Sequence, residues 1–264
     1  MEKASSLIPD LLAKTTNPVP SSWHCIQHDR EVAYELQPIG SHQITVRGDC
    51  PDCVKETRET GTSIRNRKLE EDTILLRRRA GVPERYLQAS LKEFREETME
   101  QQQVAQRLRE FVGGGWQQSP GLLFTGTVGT AKTFLGSALT NHWLDHYGSQ
   151  SARFCTMLGL MRRIKAAWDP DSVETETILL RRLNELPILV IDEIGVQFGS
   201  KAESVLFTDI INERYNFLRP TILITNLTTQ ECHKELGDRV MDRLRDGGHA
   251  LAFTWPSQRG RTPS

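Results

Sequence analysis

Gly126-Thr-Val-Gly-Thr-Ala-Lys-Thr133 lies between an apolar run, residues 121–125, and a helical pattern that spans residues 134–143. This order predicts a strand, a phosphate-sized loop and a helix start, because small residues let backbone N–H groups turn onto phosphate oxygens. Lys132 is expected to reach the terminal phosphates, and the Thr133 hydroxyl is expected to join Mg²⁺. The sequence therefore predicts a nucleotide-binding P-loop that comprises Gly126, Thr127, Val128, Gly129, Thr130, Ala131, Lys132 and Thr133.

Ala131 departs from the usual P-loop pattern, which has glycine directly before the lysine. Its Cβ stands where the backbone and the phosphate come close together. We expect nucleotide binding to survive this difference if the φ angle of Ala131 is negative. Taken alone, such a loop has an alternative interpretation as a glycine-rich turn without a ligand.

Two further apolar runs end in polar side chains. Residues 188–195 read Ile-Leu-Val-Ile-Asp-Glu-Ile-Gly, and residues 221–226 read Thr-Ile-Leu-Ile-Thr-Asn. Such runs predict strands buried on both faces of a parallel sheet, where ligands gather at the carboxyl ends. We expect Asp192 to hold Mg²⁺ through water, Glu193 to orient or deprotonate the attacking water, and Asn226 to bond the γ-phosphate or that water. The alternative is that the acids are surface residues and that Asn226 only closes a turn.

Two arginines, Arg239 and Arg243, lie four residues apart on one face of a predicted helix. Either could act on a nucleotide bound by a neighbouring subunit, although most exposed arginines are solvated or ion-paired. Residues 244–264 contain several glycines and prolines, which predict one last strand, residues 250–255, rather than a helical lid. Without a lid, the second arginine that a lid can carry is missing, so we expect hydrolysis to depend strongly on an arginine of a neighbouring subunit.

The order of these motifs resembles that of the DnaC family of AAA+ helicase loaders, whose close relatives include the IstB-type transposition ATPases. The resemblance runs over residues 81–255 and rests mainly on residues 126–133, 190–197, 225–226 and 239–244. It implies an α/β fold with a P-loop AAA+ parallel-sheet ATPase domain that lacks a C-terminal helical lid. It also assigns Lys132 and Thr133 to Walker A, Asp192 and Glu193 to Walker B, Asn226 to sensor I, and Arg243, or second Arg239, to a trans arginine finger.

Four potential metal ligands form two short pairs upstream, Cys25-Ile-Gln-His28 and Cys50-Pro-Asp-Cys53. The pairs flank a segment in which apolar residues alternate as in a hairpin. Each pair predicts a tight knuckle that aims two ligands at one ion, and four protein ligands predict a structural, tetrahedral Zn²⁺. His24 is the alternative to His28, and reduced cysteines without metal are the alternative to the zinc site. A segment this small needs a structural metal ion, or a comparable cross-link, to fold.

The chain has 264 residues and a formal net charge of −1, which argues against a nucleic-acid binder that uses its whole surface. The length allows one medium α/β domain and one small appendage. The N-terminal sequence is too polar for a secretory signal, and no apolar run reaches membrane-spanning length. Cys155 and Cys232 fall in an apparent strand and an apparent helix and are expected to be small buried residues. We therefore expect a reducing, cytoplasmic location and no membrane partner.

Any DNA contact must then be local, and two basic stretches are candidates. Residues 65–79 carry mixed charges in a helical pattern, which is typical of a solvated linker face. Residues 161–168 resemble the inserted helix that related initiators and loaders use on single-stranded DNA; Trp168 could stack on a base or belong to the core. The loop beyond Glu193 resembles a second DNA-facing region of the family. The predicted DNA contacts are Arg162, Arg163, Lys165, Ser200 and Lys201.

These assignments divide the chain into four segments. Residues 1–60 are predicted to form a zinc-binding, helicase-interaction module, residues 61–80 a charged helical linker, residues 81–258 the AAA+ ATPase domain and residues 259–264 a tail. Within the ATPase domain we predict a helix over residues 93–112, stopped by three glycines, and a strand over residues 152–157.

The resemblance implies an ATP-dependent loader that places a DnaB-type replicative helicase on single-stranded DNA in DNA replication and self-associates through its ATPase domains. ATP and Mg²⁺ would bind in the ATPase domain and switch the loader between holding and releasing its partners. Zn²⁺ would stabilise the N-terminal module. Hydrolysis, weak and assembly-dependent, would release the partners. The alternatives are an IstB-like transposition helper, a non-hydrolysing ATP-bound adaptor, which Ala131 supports, and a zinc-dependent nucleic-acid module with a degenerate ATPase.

Overall fold

The computed structural model describes residues 22–39, 42–195, 200–246 and 248–258, with side chains described outside residues 36–47. The predicted tail, the first part of the N-terminal segment and motif residues 196 and 197 lie outside the described residues. The chain divides into two compact units, residues 1–69 and 70–264. Each unit has its own buried core.

The first unit contains a three-stranded antiparallel sheet in the order β1-β2-β3. Its strands are β1 (Ser22–Cys25), β2 (Arg30–Ile39) and β3 (His42–Arg47), and helix α1 (Pro51–Arg79) begins in this unit. The β2–β3 pair corresponds to the segment of alternating apolar residues. The described buried core consists of Cys25, Val32 and Cys50, which is too small to stabilise the unit by apolar burial alone.

The second unit is built on a five-stranded sheet in which all neighbouring strands are parallel. Its order is β5-β6-β7-β4-β8, so that the P-loop strand β4 lies between β7 and β8. The carboxyl ends of all five strands meet at one edge, where ligands bind in such sheets. The strands are β4 (Gly121–Gly126), β5 (Ala152–Thr156), β6 (Ile188–Ile194), β7 (Thr221–Thr225) and β8 (Gly248–Phe253).

Helices cover both faces of this sheet. Successive strand residues point to opposite sides, and the apolar side chains on both sides are buried under helices. On β4, Leu122 and Phe124 belong to one buried core and Leu123 to the other. Residues 188–191 of β6 have no exposed surface, as predicted for a strand covered on both faces. None of the described helices is long and apolar enough to cross a lipid bilayer. The helices are α2 (Met99–Val112), α3 (Lys132–Tyr147), α4 (Met157–Ala166), α5 (Glu176–Glu185), α6 (Lys201–Asn216) and α7 (Thr229–Asp246).

Three element boundaries differ from the sequence predictions. Helix α2 begins at residue 99 rather than 93, because Thr98 and Gln101 form a capping box at its start. Strand β5 ends at Thr156, whose side chain caps α4 by accepting from Gly159 N. The last strand spans residues 248–253 rather than 250–255, and residues 254–258, the last described, form no helix.

Candidate nucleotide site and metal-ligand cluster

The predicted P-loop lies at one end of a cleft at the carboxyl edge of the sheet. The cleft has a volume of about 500 Å³, and its lining includes Gly129, Ala131, Lys132 and Thr133. Lys132 is the first residue of α3, and its Nζ donates to Gly126 O at 2.8 Å and to Thr127 O at 2.6 Å. The ammonium group is thus held at a helix N-terminus, where the helix dipole stabilises anions.

The residues predicted to hold magnesium meet in this cleft although they come from two separate motifs. Thr133 Oγ1 donates to Asp192 Oδ2 at 2.7 Å across 59 positions of the chain. The other carboxylate oxygen of Asp192 accepts from Glu193 N at 2.7 Å. Burial raises the pKa of Asp192, and the hydrogen bond from Thr133 opposes that effect. A carboxylate beside a hydroxyl is an all-oxygen donor set, which Mg²⁺ prefers.

Glu193 and Asn226 line the same cleft and are both exposed. Glu193 has a φ angle of 58°, a left-handed conformation that is uncommon outside glycine and concentrated at functional sites. After β7, Thr225 Oγ1 donates to Ile194 O and accepts from Leu227 N. The turn that carries Asn226 is therefore stabilised by the Thr225 side chain, and Asn226 need not close it.

Ala131 has a φ angle of 72° and a ψ angle of 16°. The condition that we set for unimpaired nucleotide binding, a negative φ angle, is therefore not met. The chain enters α3 through a left-handed residue, a conformation that glycine adopts readily and that costs other residues about 1–2 kcal/mol. The loop consequently keeps a glycine-like backbone path and stores local strain at this alanine.

One wall of the cleft was not predicted from the sequence. It includes Arg85, Tyr86 and Phe94, which lie in or beside the 3₁₀ turns Glu84–Tyr86 and Leu91–Glu93. Tyr86 packs edge-on against Phe134 of α3, with ring centroids 6.0 Å apart. Aromatic faces near a phosphate loop can stack a nucleobase. Short irregular turns carry no hydrophobic period, so the sequence offered no signal beyond the presence of the aromatic residues.

A buried asparagine holds the segment that forms this wall. Asn141 of α3 is 1% exposed. Its Nδ2 donates to the carbonyl oxygens of Tyr86, Leu87 and Ala89 at 3.2, 3.2 and 2.9 Å. An amide nitrogen carries only two hydrogens, so the three carbonyl groups share them. Helix α3 therefore supports the P-loop through Lys132 and the aromatic wall through Asn141.

The residues that follow β8 return to the P-loop. Gln258 N donates to Gly129 O at 2.8 Å, and Gln258 also lines the cleft. Gly129 has a φ angle of 86°, and a Cβ at this position would lie 2.0 Å from Ser257 Oγ. Glycine is thus favoured at position 129 by the backbone conformation, and a Cβ there would also displace the Ser257 side chain.

The two candidate finger arginines lie in α7, which is interrupted at Gly237 by a φ angle of 79°. Arg239 is exposed. Arg243 is half-buried, with its guanidinium carbon 4.7 Å from the centre of the Tyr215 ring. Neither arginine belongs to the lining of the cleft in its own chain. An action on a neighbouring subunit stays a prediction for both.

The structure brings together the four residues predicted to bind zinc. The ligand atoms of Cys25, His28, Cys50 and Cys53 all lie within 4.8 Å of one another. The Sγ atoms of Cys25 and Cys53 are 3.7 Å apart, and His28 Nδ1 lies 3.3 to 3.7 Å from the three sulfurs. In a tetrahedral zinc site, bonds of about 2.3 Å to sulfur and 2.0 Å to nitrogen give edges of about 3.8 and 3.5 Å. The cluster fits the size of Zn²⁺.

The surroundings of the cluster favour His28 over His24. His28 Nε2 lies 3.1 Å from Glu56 Oε1, a carboxylate contact that orients many metal-bound histidines. His24 instead contacts Asp29 at 3.1 Å and Glu31 at 3.4 Å, away from the cluster. The hydrogen bond with His28 lowers the pKa of Cys25 to about 6, which favours the thiolate that metals bind.

Three of the predicted DNA contacts have partners within the protein. Arg163 donates to both oxygens of Glu174 at 2.8 Å, and Lys165 Nζ lies 2.7 Å from Glu203 Oε1. Ser200 caps α6 by accepting from Glu203 N. These pairs were not visible in the sequence because the acids lie 11 and 38 positions away. Arg162 and Lys201 are exposed.

Trp168 is not part of the buried core. Its side chain is 42% exposed, and its Nε1 donates to Glu176. Cys232 is buried, whereas Cys155 is partly covered and burial raises its pKa to about 12. Neither cysteine belongs to the metal-ligand cluster, and burial, which disfavours the thiolate, makes both thiols unreactive.

Comparisons with known sequences identify the family of the chain. The sequence profile of the IstB-like ATP binding proteins matches residues 66–263. The replicative helicase loader DnaC of Escherichia coli (strain K12) is 34% identical over 184 residues, which cover 69% of this chain and 74% of that protein. The replicative helicase loader DnaC of Buchnera aphidicola subsp. Schizaphis graminum is 32% identical over 182 residues, which cover 69% and 73%.

Solved structures agree with the fold. The crystal structure of the DnaC helicase loader has a TM-score of 0.56 at 25% identity, and the match covers 64% of this chain and 99% of that one. The crystal structure of DnaI has a TM-score of 0.55 at 22% identity over 64% and 93% of the two chains, which supports the fold alone. The chain therefore belongs to the family of the IstB-like ATP binding proteins and the DnaC helicase loaders.

Proposed function

We propose that this protein is an ATP-dependent loader that places a DnaB-type replicative helicase on single-stranded DNA during DNA replication. The observation that carries the proposal is the single cleft shared by Lys132, Thr133, Asp192, Glu193 and Asn226. The 34% identity to a DnaC loader over 69% of the chain supports the choice of partner. ATP hydrolysis is the proposed release switch.

The residues of the cleft divide the chemistry of hydrolysis among themselves. Lys132 and the backbone N–H groups of the loop bind the phosphates. Thr133 and Asp192 would hold Mg²⁺, which neutralises phosphate charge when bound. Glu193 orients the attacking water and accepts its proton, and Asn226 holds the γ-phosphate or that water by a hydrogen bond that adds no charge.

The remaining catalytic group is an arginine from a neighbouring subunit, Arg243 or, as the alternative, Arg239. Such a guanidinium stabilises the charge that develops during phosphoryl transfer. Since neither residue lines the cleft of its own chain, the complete site requires self-association through the ATPase domains. Hydrolysis in an isolated chain is then weak, and turnover reports on assembly.

The unit of residues 1–69 is the proposed helicase-binding part, stabilised by a structural Zn²⁺ on Cys25, His28, Cys50 and Cys53. Four protein ligands leave no open coordination position, so the ion would have no catalytic role. It would tie β1 to the start of α1, where the apolar core is small.

Single-stranded DNA is proposed to contact the other unit, with the exposed Arg162 and Lys201 as the first residues to test.

Native mass spectrometry of the protein mixed with the replicative helicase of the same cell tests the loader function. In Mg²⁺–ATP we expect a defined complex that contains several copies of each protein. Lys132→Ala, which lacks the phosphate-binding ammonium, should fail to form this complex while retaining its fold by circular dichroism. A helicase that stays free under all nucleotide conditions contradicts the loader function and directs attention to transposases as partners.

Phosphate release separates an ATPase from a non-hydrolysing adaptor. We expect turnover that increases with protein concentration and with single-stranded DNA, as an assembly-dependent site requires. Glu193→Gln keeps the size and polarity of the side chain, so it should retain ATP binding and lose turnover. If the wild-type protein releases no phosphate in any assembled state, the adaptor is the correct alternative.

A further inference from the structure

A second cleft of the unit 70–264 is lined by four arginines. Its volume is about 540 Å³, and its lining includes Arg79, Arg153, Arg163 and Arg182. The cleft lies at the amino ends of β5 and β6, because its lining residues Ala152 and Leu186 lie at or just before those strand starts. The nucleotide cleft lies at the opposite edge of the sheet, about 17 Å away for a five-residue strand. The two clefts are therefore separate.

The positive charge of this arginine cleft is only partly balanced. Glu174 accepts from Arg163 at 2.8 Å and from Arg182 at 2.7 Å, so that one carboxylate serves two guanidinium groups. Arg153 donates to the main-chain oxygen of Arg79 at 2.9 Å, which neutralises no charge. Glu174 is not part of the lining, and the one acid of the lining is Glu185. With both acids counted, four arginines face two carboxylates, and an excess of two positive charges remains.

The surroundings of Arg153 disfavour its charged form, mainly because the guanidinium is partly buried. Burial lowers the pKa of its guanidinium, and the nearby charge of Arg163 lowers it further. Both effects disfavour the charged form, whereas the carboxylate of Glu174 favours it and a bound anion would favour it further. A planar guanidinium binds two oxygens of one phosphate or carboxylate in a fork, which a lysine cannot do.

We propose that the arginine cleft binds a phosphate group, carried either by a free phosphorylated compound or by the backbone of a nucleic acid strand. A phosphate dianion matches the excess of two positive charges. Of the five residues predicted to contact DNA, only Arg163 lines this cleft, so the site differs from the predicted DNA surface. Ser149 and Gln150 of the loop before β5 supply further polar groups to the lining.

Two binding measurements on the full chain test the proposal, with Mg²⁺–ADP present at saturation so that the P-loop is filled. Calorimetry with pyrophosphate measures binding of a free phosphate compound, and fluorescence anisotropy with a labelled single-stranded oligonucleotide measures binding of a strand. Arg182→Gln removes a side chain that is 65% exposed, so the fold should be unaffected. Loss of a hydrogen bond to a charged group should weaken binding of the relevant probe about tenfold.

Arg181→Gln is the matched control, because Arg181 is the adjacent exposed arginine of α5 and is not in the lining of the cleft. It should change either affinity less than about twofold. Arg153→Lys keeps the charge and loses the fork, so it should weaken binding as well. Loss of pyrophosphate binding alone assigns a free phosphate compound, and loss of oligonucleotide binding assigns a strand. If neither probe binds, or if Arg181→Gln weakens binding as much as Arg182→Gln, the proposal is refuted.

Discussion

Replacement of Ala131 by glycine is expected to stabilise the protein. Ala131 has a φ angle of 72°, and the left-handed region costs an L-residue about 1–2 kcal/mol. Glycine removes this strain but increases the freedom of the unfolded chain, which costs about 0.4–1 kcal/mol. The net gain in the free energy of unfolding is then roughly 1 kcal/mol, or about 2–4 °C in melting temperature for a domain of this size.

Thermal unfolding followed by circular dichroism, with and without Mg²⁺–ATP, measures this effect. The additional stabilisation by ATP should be kept or increased, because glycine also removes a Cβ where backbone and phosphate approach. Ala166→Gly in α4 makes the same chemical change at an exposed helical residue, where glycine costs up to about 1 kcal/mol. If Ala131→Gly lowers the melting temperature as Ala166→Gly does, the strain at position 131 is not real.

Three further substitutions test separate parts of the structure. Asp192→Asn should raise the melting temperature of the protein without nucleotide and abolish the further shift by Mg²⁺–ATP. Burial raises the pKa of the Asp192 carboxyl in the folded state, so the folded protein loses stability as the pH rises from the unfolded-state pKa through the folded-state pKa of this group. Cys50→Ser should lose the zinc found by metal analysis and keep ATP binding, whereas Cys155→Ser should keep both. Asn141→Leu should lower the free energy of unfolding by about 2–3 kcal/mol, because buried carbonyl groups lose their donor. It should also weaken ATP binding more than Thr140→Val, since Thr140 bonds only within its own helix.

The nucleotide-site motifs could be located from the sequence because each motif follows a strand of one parallel sheet. In a parallel sheet, the ends of β4, β6 and β7 meet at one edge, so Lys132, Asp192 and Asn226 had to approach one another. The cysteine and histidine pairs were equally informative, since a spacing of two residues aims both ligands at one point.

Other features depend on distances that the sequence does not contain. The pairing of Lys165 with Glu203 joins residues 38 positions apart and gives a predicted DNA contact an acidic partner, although 53% of the Lys165 side chain stays exposed. The wall at Tyr86 depends on Asn141, 55 positions away. The φ angle of Ala131 could not be predicted for a local reason, because residue type alone indicates a preferred φ angle and the entry into α3 imposes another.

The hydrogen bond from Gln258 to Gly129 makes the end of the described chain a neighbour of the phosphate loop. Any purification tag or fluorescent protein joined directly behind position 258 would begin at the mouth of the nucleotide cleft, where Gln258 is part of the lining. A long flexible spacer is therefore needed to keep a fused domain away from the cleft. The same proximity is useful to an experimenter, since an environment-sensitive dye attached there would change its emission when ATP enters or leaves.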